Sequence, residues 1–293
     1  MWSPPSFAAS PPITYAQLCS PRPRAIESES DQPAHSNTKS NRSLTVGTRT
    51  PCELMTRTHE VEFVLLRHGQ TQWNRQGIIQ GQEDAELDGD GVRQAEALGA
   101  ALAGGRFGSI DVVASSDLSR ASDTAYRVAN ALNISISTVG LTRELRERHV
   151  GVLQGVSRRD VDKTHQQLWR TFRKGSDDDW KGHGGESYND HWDRAVAWME
   201  RTARSRAHGT RIAVVTHGGT LHVLKDRCDV DDPLNRNNHK RGVVHNCSVG
   251  VVRITVTHTG CEWRCVKWGD TSHLDEANVG SLPHGHGGDA GGA

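Results

Sequence analysis

The 293-residue sequence lacks an excess of charge of either sign, because its 35 basic residues balance 35 acidic ones. A nucleic-acid or membrane partner bound through charge alone needs a basic excess or stripe, so neither is expected. No apolar run approaches the roughly 18 residues of a membrane span. Six cysteines in so long a chain make no disulfide framework, which favours a reduced, cytoplasmic setting.

Proline is scarce after residue 51, since eight of the ten prolines occur up to that point, among many Ser and Thr residues. A segment with this composition and no periodicity cannot offset its chain entropy, so 1–58 is predicted to be a disordered extension. Because 1–26 contains no acidic residue, a mitochondrial transit peptide is the alternative reading, although its prolines would break a presequence helix. The segment 271–293 is predicted to be a flexible tail, which leaves 59–270 as one ordered domain.

Strand-like and helix-like segments alternate within that domain. This order implies crossover connections and predicts a three-layer α/β/α fold with a mainly parallel sheet. Ligands of such sheets bind beyond the carboxyl ends of the strands. Strands are predicted at 61–66, 110–114, 134–138, 211–215, 248–256 and 261–268, and helices at 91–103, 119–131, 192–203 and from 220.

Two histidines and two arginines follow three of these strands. Arg67 and His68 come after the first strand, Arg120 after the second, and His217 after the segment RIAVV. In a parallel sheet all four side chains can converge on one pocket. A guanidinium binds phosphoryl oxygens in bidentate fashion, and a histidine among arginines can attack phosphorus because the charge is already compensated.

The segments that carry these residues resemble the histidine phosphatase superfamily, in its phosphoglycerate-mutase-like branch. They occur in the order of that family and extend over about 59–250. The resemblance implies that 59–270 is a histidine phosphatase catalytic domain. The matching segments are LLRHGQTQWNRQGIIQGQEDAELDGDGVRQA, SSDLSRASDTA, LRERHVGVLQG, GGES and VVTHGG.

The same resemblance implies a role for each residue of the pocket. His68 would be the nucleophile that becomes phosphorylated, and Arg67, Arg120 and His217 would complete the phosphate pocket. Glu147 would protonate the leaving alkoxide, a task that suits a carboxyl group, with Glu144 as its nearby competitor. Further substrate-binding residues are expected at Asn74, Gln80, Gly81, Arg148, Arg158, Gly218 and Gly219.

No metal is expected in catalysis. The chain has 16 histidines but no HExxH motif and no Cys/His pairs at zinc spacing, and arginines would replace a metal as the charge sink. No cofactor is expected either, unless the chain is a mutase, which would need 2,3-bisphosphoglycerate as primer. The expected partner is a small phosphorylated metabolite of undetermined identity, and homodimer formation is left open.

Three departures from the mutase pattern favour hydrolysis. Val150 stands at a family tyrosine, Thr171 at an arginine and Gly219 at an asparagine, so three donors that could hold a second phosphate or carboxylate are missing. A mutase must retain a bisphosphorylated intermediate, whereas a phosphatase only needs water to reach the phosphohistidine. A phosphomonoester phosphatase is therefore predicted, with a 2,3-bisphosphoglycerate-dependent phosphoglycerate mutase as the alternative. A non-catalytic phosphoester-binding module is a third reading, which would not require the full catalytic set.

Overall fold

A six-stranded sheet is the middle layer of the computed structural model, which describes residues 58–174, 179–181, 184–231 and 244–279. Its strands are β1 His59–Arg67, β2 Val112–Ser116, β3 Gly140–Thr142, β4 Arg211–Thr216, β5 Val249–Val256 and β6 Cys261–Asp270. Their spatial order is β3-β2-β4-β1-β5-β6. Only β5 runs against the other strands, which confirms the predicted mainly parallel sheet.

Helices cover both faces of this sheet. They are α1 Gln72–Gln76, α2 Gly89–Ala103, α3 Ser119–Ala131, α4 Val161–Thr164, α5 Gln166–Lys174, α6 Tyr188–Arg204, α7 Gly218–Asp231 and α8 Ser272–Glu276. Single 3-10 turns occupy Ile136–Thr138, Arg143–Leu145 and Gly151–Leu153. No helix within the described ranges is both long and apolar enough to cross a membrane.

The central strand β1 buries side chains on both faces of the sheet. Val61, Phe63 and Leu65 pack with apolar residues of α6 and α7, whereas Val64 and Leu66 pack with those of α2 and α3. All five side chains are fully buried. Successive side chains of a strand point to opposite faces, so a continuous apolar run is what a strand between two helical layers requires.

Two sequence predictions differ from the structure. The predicted strand 134–138 is wrong: Ile136–Thr138 forms a 3-10 turn, and the edge strand β3 follows it. The hydroxyl of Thr138 donates to the carbonyl of Ser135, and such local bonds compete with strand pairing. The predicted tail from residue 271 also begins with helix α8, whose Leu274 is 2% exposed and packs in the core beside α2.

The parallel register of β1 and β4 sets the position of the two histidines. Arg67 lies opposite Thr216, so His68 and His217 leave neighbouring strands at the same level. The backbone N–H of His68 donates to the carbonyl of Thr216 at 3.0 Å, which extends the pairing by one residue. The predictions for the segments 1–57 and 280–293 lie outside the described residues.

Candidate active site

His68 lies at the bottom of a cleft beyond the carboxyl end of β1, with 3% of its surface exposed. Its Nδ1 lies 2.7 Å from the carbonyl oxygen of Gly69. A carbonyl oxygen only accepts hydrogen bonds, so Nδ1 carries the proton and Nε2 keeps its lone pair. Burial, followed by the positive charges of Arg120 and Arg67, holds the pKa of His68 well below its ordinary value. The imidazole is therefore neutral and nucleophilic at neutral pH.

Two buried guanidinium groups flank His68. Arg67 and Arg120 are each 1% exposed and line the same cleft. Arg67 donates to the carbonyl of Val244, and Arg120 donates to the carbonyls of Gly81 and Glu83 at 2.8 Å each. Burial lowers the pKa of Arg120 to about 10, which leaves the group cationic at neutral pH. Two fixed positive charges next to the nucleophile make this a site for a phosphoryl dianion.

His217 lies next to the nucleophile. Its ring centroid lies 5.2 Å from that of His68, and its surface is fully buried, so it does not form part of the cleft wall. Its Nε2 is 2.8 Å from the hydroxyl of Ser116, at the end of β2. Within the described residues its Nδ1 has no hydrogen-bond partner, although buried polar atoms normally have one. A phosphoryl oxygen on His68 is a ligand of the kind that this nitrogen can bond.

The carboxylate of Glu147 lies at the first turn of α7. One oxygen accepts the backbone N–H of Gly219 at 2.8 Å, and the other accepts that of Arg148 at 2.8 Å. A Cβ atom at position 219 would lie 2.2 Å from a Glu147 oxygen, so glycine is what allows this approach. The Glu147 carboxylate thus occupies the space that a side chain at position 219 would take, and that side chain is also missing as a donor to substrate.

The competing carboxylate, Glu144, is directed elsewhere. Its side chain pairs with Arg201 of α6 on the protein surface. It does not line the cleft, whereas Glu147 does. Of these two carboxylates, Glu147 is the one placed to reach a leaving group bound above His68.

The loop after β1 and the start of α1 close one side of the phosphate site. The side-chain oxygen of Asn74 accepts from the backbone N–H of Thr71 at 3.1 Å, completing a capping box at the start of α1. The Thr71 hydroxyl also lies 3.2 Å from the Gln80 amide oxygen. With its oxygen engaged, Asn74 keeps its NH2 group to donate to a substrate oxygen. Gly81 joins the wall with a left-handed backbone, and its carbonyl oxygen accepts the hydrogen bond from Arg120 described above.

The N-terminus of α7 opens into the same cleft through Gly218 and Gly219. The first N–H groups of a helix have no intrahelical partner and carry partial positive charge. This end of the helix therefore adds to the attraction for a phosphoryl group, as expected for residues that follow a strand of a parallel sheet.

The outer part of the cleft is apolar and contains two stacked arginines. The guanidinium of Arg148 lies 4.8 Å from the ring centroid of Phe172, and that of Arg158 lies 5.9 Å from the ring of Trp169. The cleft is open to solvent, and it contains about 830 Å³ of space when that open region is included. Its apolar wall consists of Ile78, Ile79, Val150, Trp169, Phe172 and Val223.

All the site residues predicted from the sequence except His217 line this one cleft, and their roles stay predictions. Sequence reasoning missed several others. His191, His222 and Tyr188 also line the cleft, and no motif spacing marks them. Burial, then the charges of Arg194 and Arg148, lowers the pKa of His191 well below its ordinary value. Asn246, whose amide nitrogen donates to the His68 carbonyl at 2.9 Å, was missed too, because its bond partner lies 178 residues away in the chain.

No group of three or more His, Cys, Asp or Glu side chains is arranged to hold a metal ion within the described part of the chain. The positive charge at the site comes from arginines and the helix end.

Comparisons with known proteins agree with this geometry. The family model of the histidine phosphatase superfamily (branch 1) matches residues 63–271. Phosphoglycerate mutase-like protein 4 of Arabidopsis thaliana is 36% identical over 229 residues, which cover 78% of this chain and 92% of that protein. A metal-independent phosphoserine phosphatase of the same plant is 35% identical and is covered to 89%, again with 78% of this chain.

A solved structure shows the same fold. The mycobacterial glucosyl-3-phosphoglycerate phosphatase aligns with a TM-score of 0.60 at 28% identity, and the match covers 73% of this chain and all of that one. The family model covers more than half of the chain, and both plant relatives exceed 30% identity over most of it. The chain therefore belongs to the histidine phosphatase superfamily and is an enzyme.

Proposed function

We propose that the chain is a metal-independent phosphomonoester phosphatase that forms a phosphohistidine on His68. The observation that carries this proposal is the His68 imidazole, which is held neutral with its lone pair on Nε2 between two buried guanidinium groups. This arrangement supplies a nucleophile and compensation for the phosphoryl charge at one point.

In the first step, Nε2 of His68 attacks phosphorus and the bond from phosphorus to the ester oxygen breaks. Arg67, Arg120 and the N-terminus of α7 balance the charge on the phosphoryl oxygens. The leaving alkoxide takes a proton from the Glu147 carboxyl group. Nδ1 keeps its proton and continues to donate it to the Gly69 carbonyl, so the phosphorylated ring keeps its orientation.

In the second step, water attacks the phosphohistidine. Glu147, now ionised, accepts a proton from that water as the new oxygen–phosphorus bond forms. The nitrogen–phosphorus bond breaks, and its electron pair returns to Nε2. Alcohol and inorganic phosphate are the products, and the enzyme regains its starting protonation state.

The walls of the cleft favour hydrolysis over mutase chemistry. Val150 is 5% exposed and packs with Ile79 and Trp169 in an apolar cluster, so it offers a second phosphate no donor. The N–H of Gly219 is already engaged with Glu147, and Thr171 does not line the cleft. Arg148 and Arg158 are the two features that favour the mutase alternative, because they could hold a carboxylate.

The lining of the outer cleft supports a substrate larger than a bare phosphate. A mostly apolar wall with two arginines suits a small phosphorylated metabolite whose alcohol carries apolar or planar surface. The names of two relatives, a phosphoserine phosphatase and a glucosyl-3-phosphoglycerate phosphatase, suggest the first compounds to test. A cytoplasmic location and a homodimer also remain proposals.

The decisive experiment measures products from a panel of phosphomonoesters that includes 3-phosphoglycerate with 2,3-bisphosphoglycerate as primer. We expect inorganic phosphate to form and 2-phosphoglycerate to stay a minor product. A ratio of 2-phosphoglycerate to inorganic phosphate far above one would identify a mutase. Failure to trap acid-labile phosphohistidine with any substrate that is turned over would refute the covalent step.

A further inference from the structure

Glu147 sits on a loop without regular structure, between the 3-10 turns Arg143–Leu145 and Gly151–Leu153. One side chain of α6 binds three carbonyl groups, two in this loop and one in the turn that precedes it. Arg194 donates to the carbonyls of Glu144 at 2.9 Å, Arg146 at 2.7 Å and Glu147 itself at 2.8 Å. A guanidinium is suited to this because its donors are fixed in one plane.

Arg194 is in turn fixed by Glu186, which lies just before α6. The Nε and one Nη of Arg194 donate to the two carboxylate oxygens of Glu186 at 2.7 and 2.8 Å, which makes a bidentate ion pair. Burial opposes ionisation of Glu186, but the hydrogen bonds and charge of Arg194 outweigh it, so the pKa of this carboxyl lies below its ordinary value. The side chains are 17% and 22% exposed, so the pair is shielded from water.

Glu186 also forms hydrogen bonds with the part of the loop that follows Glu147. Its carboxylate accepts the backbone N–H of His149 at 2.8 Å, and its carbonyl accepts from Arg148 at 2.8 Å. A Cβ atom at Gly185 would lie 2.1 Å from the His149 carbonyl oxygen, so the glycine permits this contact. The loop is thus bonded to one ion pair on both sides of Glu147.

We infer that Arg194, held by Glu186, is a positioning residue that fixes Glu147 where it can protonate the leaving group. This inference rests on the proposed function, because it assigns Arg194 a role only through the acid. Neither Arg194 nor Glu186 lines the cleft, so neither touches substrate. A displacement of about 1 Å at a reacting group can reduce the rate about 100-fold.

The test compares two esters of similar shape, 4-nitrophenyl phosphate and benzyl phosphate. The nitrophenolate leaves as a stable anion and needs no proton, whereas the benzyl alkoxide does. The quantity compared is kcat/KM, which reports the transfer to His68 and leaves out the later attack of water, where Glu147 serves both esters equally. Loss of a general acid lowers kcat/KM for the second ester alone, by roughly 100- to 10,000-fold. The ratio of the two rates in one sample does not depend on how much of the protein is folded.

The variants are Arg194→Lys, which keeps the charge but not the planar fork, and Glu147→Gln, which removes the acid. Arg201→Ala is the matched control, because Arg201 lies on the same helix and pairs with the Glu144 side chain in the turn before the loop rather than with Glu147. For Arg194→Lys we expect kcat/KM to fall 10- to 100-fold more for benzyl phosphate than for 4-nitrophenyl phosphate. Arg201→Ala should leave the ratio within about twofold of wild type.

The outcomes separate this inference from the proposed function. A selective loss in Glu147→Gln, together with equal losses on both esters in Arg194→Lys, would overturn the positioning role while leaving the phosphatase intact. No selective loss in Glu147→Gln would remove the acid role and the inference with it. Absence of hydrolysis by the wild type, with these esters and with every compound of the panel, would overturn the proposed function itself.

Discussion

Three histidines in or beside the cleft are buried in the neutral form, and this arrangement should make the protein sensitive to mild acid. Burial is the largest cause that lowers the pKa of His68, His191 and His217 well below the ordinary value, and nearby arginines lower it further. In the unfolded chain each of these groups takes up a proton near pH 6.5. Below that pH the unfolded state binds more protons than the folded state, so the free energy of unfolding decreases.

The magnitude follows from the number of protons. Each histidine that stays neutral in the folded protein costs about 1.4 kcal/mol at pH 5.5, one unit below its unfolded value. Three such groups together cost about 4 kcal/mol, a large part of the 5–15 kcal/mol that typically stabilises a protein. The loss should begin near pH 6.5 and continue as pH falls, until the folded protein itself takes up protons.

The measurement is urea unfolding of the full chain in buffers without phosphate, at several pH values between 7.5 and 5. The matched variant is His191→Asn, because His191 is bonded to Thr220 but is not part of the proposed chemistry. It should reduce the slope of unfolding free energy against pH by about 1.4 kcal/mol per unit, the contribution of one proton. A wild-type free energy that stays constant from pH 7.5 to 5.5 would refute the reasoning.

The sequence was sufficient for the fold and for the centre of the site, because both depend on local patterns. Apolar runs such as 61–66 mark strands between two helical layers, and the residues that follow those strands meet at one edge of a parallel sheet. His68, Arg67 and Arg120 could be placed together for that reason. The role of Glu147 came from the family resemblance, and the structure adds why Gly219 stands beside it.

The residues that hold these groups in place could not be found in the same way. Arg194 acts through carbonyl groups 47–50 residues earlier in the chain, and any residue of that loop offers the same carbonyl. Every residue carries a backbone carbonyl, so the sequence does not show which carbonyl accepts a hydrogen bond, and such a contact is seen only in the three-dimensional structure. The short strand β3 was misplaced for a related reason, since the Ser and Thr side chains before it bond locally and end the apparent alternation.

Three further predictions concern the reaction. His68→Ala should abolish turnover without lowering the melting temperature by many degrees, and residual activity above about a thousandth of wild type would point to direct attack by water. Activity should survive EDTA, and a loss that one divalent ion restores would contradict the proposal. Asn246→Ala should lower kcat/KM several-fold to about tenfold, because the Asn246 amide donates to the Asn74 oxygen at 3.3 Å and so helps turn the Asn74 NH2 group toward the substrate.

The double variant with Asn74→Ala tests this path, because residues that act through one another have effects that do not add. If Asn246 acts through Asn74, the double variant should be no slower than Asn74→Ala alone. Additive losses would mean instead that Asn246 works through its other bond, to the His68 carbonyl.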